Sequence, residues 1–236
     1  MVIGAKVQIW LGVVAVAVMA AFSAAGAQEC LRCHGLPGLK SEQGKIVYVD
    51  SSAYRNSAHG GLPCTACHPG DWSYPHTEAG APVECGQCHQ GALRDYSRGV
   101  HGREAAEGNP DVPTCERCHG VHDVVPMARL VEERQAMHNL LIDKCAECHT
   151  DSELMRKYGV PLDRFATYET SAHGRADRFG SVAVARCATC HGFHAILPPD
   201  DPRSPVNPEN LPTTCGKCHE NAERFLGRKY HAVAEA

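Results

Sequence analysis

The sequence predicts a mostly irregular chain with short α-helices and little or no β-structure. Aromatic residues make up only 6% of the 236 residues, too few for a conventional apolar core. One short cysteine-histidine motif recurs along the whole chain, and each copy needs no more than a helical turn. The only strand-like run is IVYVD, which starts at Ile46.

Residues 1–27 predict an export signal. Lys6 gives a basic start, an apolar run extends from Val7 to Phe22, and small residues end at Ala27. This order is typical of a cleaved secretory signal. The alternative is an uncleaved anchor, because the run is close to the ~20 residues that span a bilayer. We expect the remaining residues, 28–236, to form one domain in the periplasm or at the outer cell surface, anchored to the inner membrane if the segment is retained.

All fourteen cysteines lie in seven C-x-x-C-H pentapeptides, numbered here as motifs 1 to 7 along the chain. Two thiols one helical turn apart can bind the two vinyl groups of one porphyrin, and the adjacent histidine can bind its iron. Disulfides or zinc sites would not require a histidine after every second cysteine. The pattern therefore predicts seven covalently attached c-type haems.

Each predicted haem has its own attachment pair and its own proximal histidine. The attachment pairs are Cys30 and Cys33, Cys64 and Cys67, Cys85 and Cys88, Cys115 and Cys118, Cys145 and Cys148, Cys187 and Cys190, and Cys215 and Cys218. The proximal ligands are His34, His68, His89, His119, His149, His191 and His219.

The segments between the motifs alternate between two kinds, which predicts an internal repeat. After odd-numbered motifs a polar stretch of helical composition ends in a tyrosine, and a histidine follows five residues later. These pairs are Tyr54 and His59, Tyr96 and His101, and Tyr168 and His173. After even-numbered motifs a histidine follows the motif closely, namely His122, His194 and, at a longer spacing, His76. After motif 7, His231 takes the place of the tyrosine-linked histidine.

These extra histidines match the haems in number and are candidates for the distal face of each iron. They are His59, His76, His101, His122, His173, His194 and His231. A separation of three residues cannot carry the chain around a macrocycle, so His122 and His194 must serve a neighbouring motif. We therefore expect a continuous chain of packed haems. The three tyrosines are candidates to hydrogen-bond the ligating imidazoles.

His138 lies seven residues before Cys145 in a stretch of helical composition. It has two interpretations: a solvated helix histidine, or a distal ligand in place of a candidate such as His76. Residues 197–212 are rich in proline and are expected to form a loop without regular structure. The formal charge of −4, to which haem propionates would add, makes nucleic acid an improbable partner and favours redox partners with basic surfaces.

TSAHG before CATCHGFH, and GVHG before CERCHGVH, resemble the multihaem c-type cytochromes with doubled C-x-x-C-H motifs over residues 28–231. That resemblance implies bis-histidine, six-coordinate haems packed in parallel and perpendicular pairs. The family includes low-potential tetrahaem carriers, membrane-tethered quinol dehydrogenases, octahaem oxidoreductases and extracellular conduits of metal reducers.

We expect electron transfer in anaerobic respiration, from a quinol-linked donor such as a membrane quinol dehydrogenase to a terminal reductase or an extracellular acceptor. Two protein ligands for each iron would leave no position for a substrate. The alternative is a multihaem oxidoreductase acting on nitrite, hydroxylamine or a sulfur oxyanion at one open haem. A third interpretation is a polymer of stacked chains, in which His231 would be donated to another copy.

Overall fold

The computed structural model describes residues 29–70, 72–73, 76, 82–133, 137–181 and 183–222. The predicted signal and His231 lie outside these residues. Within the described part of the chain, no helix has both the length and the apolar character to cross a membrane.

The described elements are short helices and helical turns. The first are α1 (residues 29–34), α2 (Ser51–Arg55) and two 3-10 turns, Cys64–Ala66 and Cys85–Gln87. Next come α3 (Gln90–Arg98), α4 (Val100–Ala106), α5 (Cys115–His119) and α6 (Met127–Glu132). A π-helical turn, Asn139–Asp143, is followed by α7 (Lys144–His149), α8 (Ser152–Lys157), α9 (Arg164–Thr170), α10 (Ala172–Arg178), α11 (Cys187–His191) and α12 (Leu211–Gly216).

The predicted fold class of short helices and loops is confirmed at this level, since the described residues contain no strand. The run from Ile46 has no regular secondary structure apart from one β-bridge, which joins Ile46 to Lys40. Buried apolar residues are few among the described positions: Tyr54, Leu130, Ile142, Met155, Leu197 and Ala222. The protein's own side chains therefore supply little of the apolar interior that a chain of this length needs.

The chain divides into two compact units. The first unit comprises the described residues up to Cys85 together with Gly120–Pro126. The second comprises Gly86–His119 and the described residues from Met127 onward. The segment Gly120–Pro126, which contains His122, thus packs with residues that lie far before it in the sequence.

The proline-rich segment is a loop held by side chains that bond its carbonyls. Asn210 donates from Nδ2 to the carbonyls of Pro202 and Ser204 at 2.7 and 2.9 Å. Thr214 donates to the carbonyl of Pro205 at 2.6 Å. The expected loop over 197–212 was too long by two residues, because α12 begins at Leu211. Proline is tolerated there, in the first turn of a helix, where its missing N–H has no intrahelical partner.

Two helix pairs, α3 with α4 and α9 with α10, are separated by a single extended residue. That residue is Gly99 in the first pair and Ser171 in the second, with ψ of 169° and 167°. The glycine after each histidine, Gly102 or Gly174, is buried where a Cβ would overlap the carbonyl oxygen of the tyrosine six residues earlier. The bend and the glycine together fix where the first turn of the second helix places its histidine.

We expect Gly174→Ala to lower the free energy of unfolding by about 1–3 kcal/mol, because the new methyl group must displace backbone. Gly91→Ala is the matched control, since Gly91 lies in α3 and a Cβ there meets only the end of the Arg94 side chain, at 3.9 Å. That control should be neutral or stabilising by up to about 1 kcal/mol. Guanidinium unfolding of the purified proteins measures both, and equal effects would show that the close approach is unimportant.

Candidate haem-binding sites

Histidine rings face one another in pairs in the part of the chain that the structure describes. Their centroid separations lie between 5.8 and 6.4 Å. The pairs are His34 with His76 (5.8 Å), His68 with His122 (6.1 Å), His101 with His149 (6.4 Å), His119 with His194 (6.0 Å), and His173 with His219 (5.9 Å). Each pair contains one predicted proximal ligand and one predicted distal ligand.

This separation is the one that two imidazoles need when they bind a metal from opposite sides. An imidazole nitrogen binds a first-row metal at about 2 Å and lies about 1 Å from its own ring centroid, which gives centroids about 6 Å apart. Direct stacking would bring the rings closer. Among the described residues no three His, Cys, Asp or Glu side chains cluster as metal ligands. Two axial imidazoles without further protein donors fit a metal whose other ligands come from a macrocycle.

The partner in each pair comes from a different segment. His68 and His119, from motifs 2 and 4, face His122 and His194, which follow motifs 4 and 6. Neither His122 nor His194 faces the histidine of the motif that it follows. This agrees with the expectation that a histidine only three residues away cannot reach the opposite side of the same iron.

The odd-numbered motifs take their partners differently. His149 and His219, from motifs 5 and 7, face the tyrosine-linked histidines that precede them, His101 and His173. His34 of motif 1 faces His76, with ring planes 13° apart. His59, His89 and His191 have contacts of their own. Their place in the ligand set stays a prediction, as does that of His231.

The three tyrosines hydrogen-bond backbone carbonyls, so the expectation that they bond ligating imidazoles is not what the structure shows. Tyr96 donates to the carbonyl of Pro113 at 2.9 Å, and Tyr168 donates to that of Ala185 at 3.2 Å. Tyr54 donates to the carbonyl of Leu62. Each acceptor lies two residues before the first cysteine of the next even-numbered motif. A long side chain in a helix reaches an apolar interior with its ring and a neighbouring segment with its hydroxyl.

The tyrosine hydroxyls also interact electrostatically with the cysteines of those motifs. Burial, with the Cys64 and Cys67 thiols nearby, raises the pKa of Tyr54. Burial beside Cys115 and Cys118 raises that of Tyr96 in the same way. The Tyr54 ring meets the edge of the His122 ring at 6.3 Å. Each tyrosine therefore holds the backbone just before one even-numbered motif, a contact that we call the tyrosine brace.

Burial keeps several of the paired imidazoles neutral. It lowers the pKa of His101, His149 and His173. It also lowers the pKa of His119 and His122, where the facing rings of His194 and His68 add to the effect. A neutral imidazole is the form that binds a metal. The folded chain thus favours the ligating form before any metal is considered.

The cysteines of successive motifs lie close to one another within each unit. In the first unit, burial and the neighbouring Cys30 thiol raise the pKa of Cys64 to about 11. In the second, a hydrogen bond to Cys145 and burial raise the pKa of Cys187. The same hydrogen bond lowers the pKa of Cys145. All fourteen cysteines are free thiols in the structure, so a disulfide framework is not what it contains.

His138 has carboxylates at both ring nitrogens. Its Nδ1 lies 2.6 Å from Oδ2 of Asp177, and its Nε2 lies 3.4 Å from Oδ1 of Asp143. The ring is partly buried. It is thus neither the solvated helix histidine nor, in this arrangement, a distal ligand.

Sequence reasoning missed Asp177 and Arg186, which form a buried ion pair at 2.8 Å. Their positions correspond to Ala105 and Thr114, because the interval from His101 to Cys115 equals that from His173 to Cys187. Aligning these intervals would have shown opposite charges appearing together in one of them. Trp72 was missed as well: its Nε1 donates to the carbonyl of His68 at 2.7 Å, and its ring lies 5.1 Å from that of His76.

We expect Tyr96→Phe to lower the free energy of unfolding by about 1 kcal/mol, since one partly buried hydrogen bond is lost. The matched control is Tyr48→Phe, because the Tyr48 hydroxyl has no hydrogen-bond partner among the described residues. Denaturant unfolding of the two holoproteins makes the comparison. If both variants are as stable as the parent, the tyrosine brace contributes nothing.

The paired imidazoles predict loss of stability of the haem-loaded protein in weak acid, because burial lowers their pKa and a bound iron would also compete with the proton for the same nitrogens. A ring with a lowered pKa is less protonated in the folded protein than in the unfolded chain, whose value is about 6.5. Stability is therefore full above that pH and falls as pH drops through the lowered folded values. Carboxylates titrate mostly below about pH 4.5, so the interval from about pH 7.5 to about pH 5 isolates the imidazoles. An unfolding midpoint that does not fall across this interval would contradict the interpretation.

No family model, curated protein or solved structure matches this chain. The sites are defined by their own residues: the facing imidazoles, the cysteines beside them and the tyrosines that hold the neighbouring backbone.

Proposed function

We propose that the protein is an exported electron carrier that holds a series of covalently attached c-type haems, one at each of its seven motifs. The observation that carries this proposal is the set of five imidazole pairs separated by about the distance that one metal ion between two rings requires. Each pair lies beside the two cysteines that immediately precede its proximal ring in the sequence.

The residues present fit this group. At motif 4, for example, Cys115 and Cys118 would hold the porphyrin edge, while His119 and His194 would bind the iron from opposite faces. A bound haem supplies a one-electron ferric/ferrous couple, whose potential depends on its axial ligands and surroundings. Because both axial positions are taken by the protein, these sites favour transfer of electrons over chemistry on a bound substrate.

Matched contacts support the proposal of an internal repeat. Each tyrosine carbonyl accepts a hydrogen bond, at 2.9–3.0 Å, from the backbone N–H three residues later. The donors are Ser57, Gly99 and Ser171. Gly108 and Gly180, at corresponding places, both have positive φ, 81° and 94°. Each of these glycines follows its histidine by seven residues.

A second matched contact ties the two kinds of segment together. The N–H of Ala58, just before His59, donates to the carbonyl of Val124 at 2.7 Å. The N–H of Val100, just before His101, donates to the carbonyl of Ile196 at 2.8 Å. Val124 and Ile196 each lie two residues after a distal candidate of the even-numbered kind. Backbone hydrogen bonds thus join segments that supply candidate ligands to different motifs.

Close spacing of the motifs within each unit supports a relay. In the second unit Cys118 of motif 4 interacts electrostatically with Cys145 and Cys148 of motif 5. The thiols of Cys145 and Cys187 of motif 6 are hydrogen-bonded, and Cys190 interacts electrostatically with the cysteines of motif 7. Neighbouring attachment sites of this kind place successive redox groups side by side.

For the physiological setting we infer a quinol-linked donor and a terminal reductase or extracellular acceptor, in the periplasm or at the cell surface. The acidic charge, which propionates would increase, favours partners with basic docking surfaces and a rate of association that falls with salt. The competing activity, reduction of nitrite, hydroxylamine or a sulfur oxyanion, would require one iron with an open axial position.

The test removes one distal ligand and compares it with a histidine outside the pairs. We expect His194→Ala to convert one low-spin haem to a high-spin haem that binds carbon monoxide when reduced, because the face opposite His119 then lacks its imidazole. His138→Gln should keep the parent spectrum, since both His138 nitrogens face carboxylates. EPR of the oxidised proteins and carbon monoxide difference spectra give the answer.

Two outcomes would contradict the proposed ligand set. One is a His194→Ala protein whose haems all remain low-spin and bind no carbon monoxide. The other is a His138→Gln protein that gains a high-spin haem, which would make His138 a ligand. A parent protein that already binds carbon monoxide would instead favour the oxidoreductase.

A further inference from the structure

A buried group of charges lies among motifs 5, 6 and 7. Asp177 and Arg186 are 1% and 3% exposed. Arg186 donates from Nε to Oδ1 of Asp177 at 2.8 Å, and His138 approaches the other oxygen, Oδ2, at 2.6 Å. A single carboxylate thus has a cation at one oxygen and an imidazole at the other.

Each member of the group belongs to a different haem-binding segment. Asp177 lies in α10, one helical turn after His173, which faces His219 of motif 7. Arg186 immediately precedes Cys187 of motif 6, and its N–H donates to Oγ1 of Thr189 inside that motif at 3.1 Å. His138 precedes the π-helical turn that leads into α7 and motif 5. The carboxylate therefore connects the segments of three adjacent sites.

The corresponding segment at motif 4 lacks this group. Ala105 and Thr114 occupy the equivalent positions, although the two segments have equal length, the same tyrosine brace and the same positive-φ glycine. The segment at motif 4 is thus built without a buried ion pair. The charges at Asp177 and Arg186 are not needed to form this type of segment.

Stability is also a weak reason for burying such a pair. Desolvation of two charges can cost as much as their attraction returns, and neutral replacements of similar size are often neutral or stabilising. A fixed charge beside a redox centre, by contrast, acts directly on the equilibrium between its two charge states, and low polarisability around it preserves the effect.

We propose that the charge of the Asp177 carboxylate tunes the potentials of the haems at motifs 5, 6 and 7, an inference that rests on the proposed function. Its carboxylate stabilises the more positive ferric state and so lowers these potentials. Arg186 offsets part of that charge and ties it to motif 6. The balance between the two residues, specific to this part of the chain, would separate the potentials of these three sites from the potential at motif 4.

The experiment is a spectroelectrochemical titration of the intact holoprotein. Asp177→Asn is expected to raise the potentials of up to three of the seven haems, with an increase of about tenfold in their ferrous-to-ferric ratio at a fixed applied potential. The matched control is Glu133→Gln, which removes a carboxylate from the exposed pair with Arg129 in the same unit. That control should titrate like the parent protein.

The double variant Asp177→Asn with Arg186→Gln distinguishes charge from structure. It removes one charge of each sign, so its potentials should return toward those of the parent. A purely structural role predicts that the double variant is disturbed at least as much as the single one, and this result would overturn the proposal. So would an Asp177→Asn protein with seven low-spin haems and an unchanged titration.

Haem content and spin state are measured first in every sample. A parent protein without seven low-spin haems would refute the proposed function itself, separately from this inference. If Asp177→Asn does not load its haems, Arg186→Gln is the second variant. It should shift the same haems toward lower potential, and an unchanged titration of that variant would overturn the proposal.

Discussion

The fold depends on pairs of imidazoles that must meet from distant parts of the chain. His119 faces His194, and His68 faces His122, across long intervals of sequence. Closing such loops costs conformational entropy, and the few buried apolar residues of the described chain offset little of it. In the function that we propose, ligation of a shared iron from both sides, with the porphyrin as apolar surface, would supply what is missing. We therefore expect folding and haem attachment to be tightly coupled, with a largely unfolded chain in the absence of haem.

Local backbone geometry prepares each histidine for this meeting. A single extended residue turns α3 into α4 and α9 into α10, and a glycine directly after the histidine lets the two helices approach. The tyrosine hydroxyl then ties this corner to the residue two positions before an even-numbered motif. One short corner thus places a candidate ligand for an odd-numbered motif and holds the backbone just before an even-numbered motif.

Covalent chemistry made much of the site predictable from sequence. The two cysteines and the histidine that would attach and bind each proposed haem occupy five consecutive residues, so the motif alone nominates them. The distal candidates followed from their recurrence and number. Pairing was harder, because which ring faces which depends on chain path, and recurrence alone did not match His101 with His149. Asp177 and Arg186 were missed because they stand out only when their segment is compared with the corresponding segment before motif 4, which has uncharged residues at both positions. The role of His138 was likewise set by tertiary contacts.

The central claim is that each iron is held by two imidazoles. Near-infrared magnetic circular dichroism of the oxidised holoprotein, with haem content determined on the same sample, tests it most directly, because the ligand-to-iron charge-transfer band reports the axial pair. The account predicts seven haems per chain, all low-spin and all with the band of bis-histidine ligation. A high-spin haem, a methionine-ligated haem or fewer than seven haems in the native protein would contradict it.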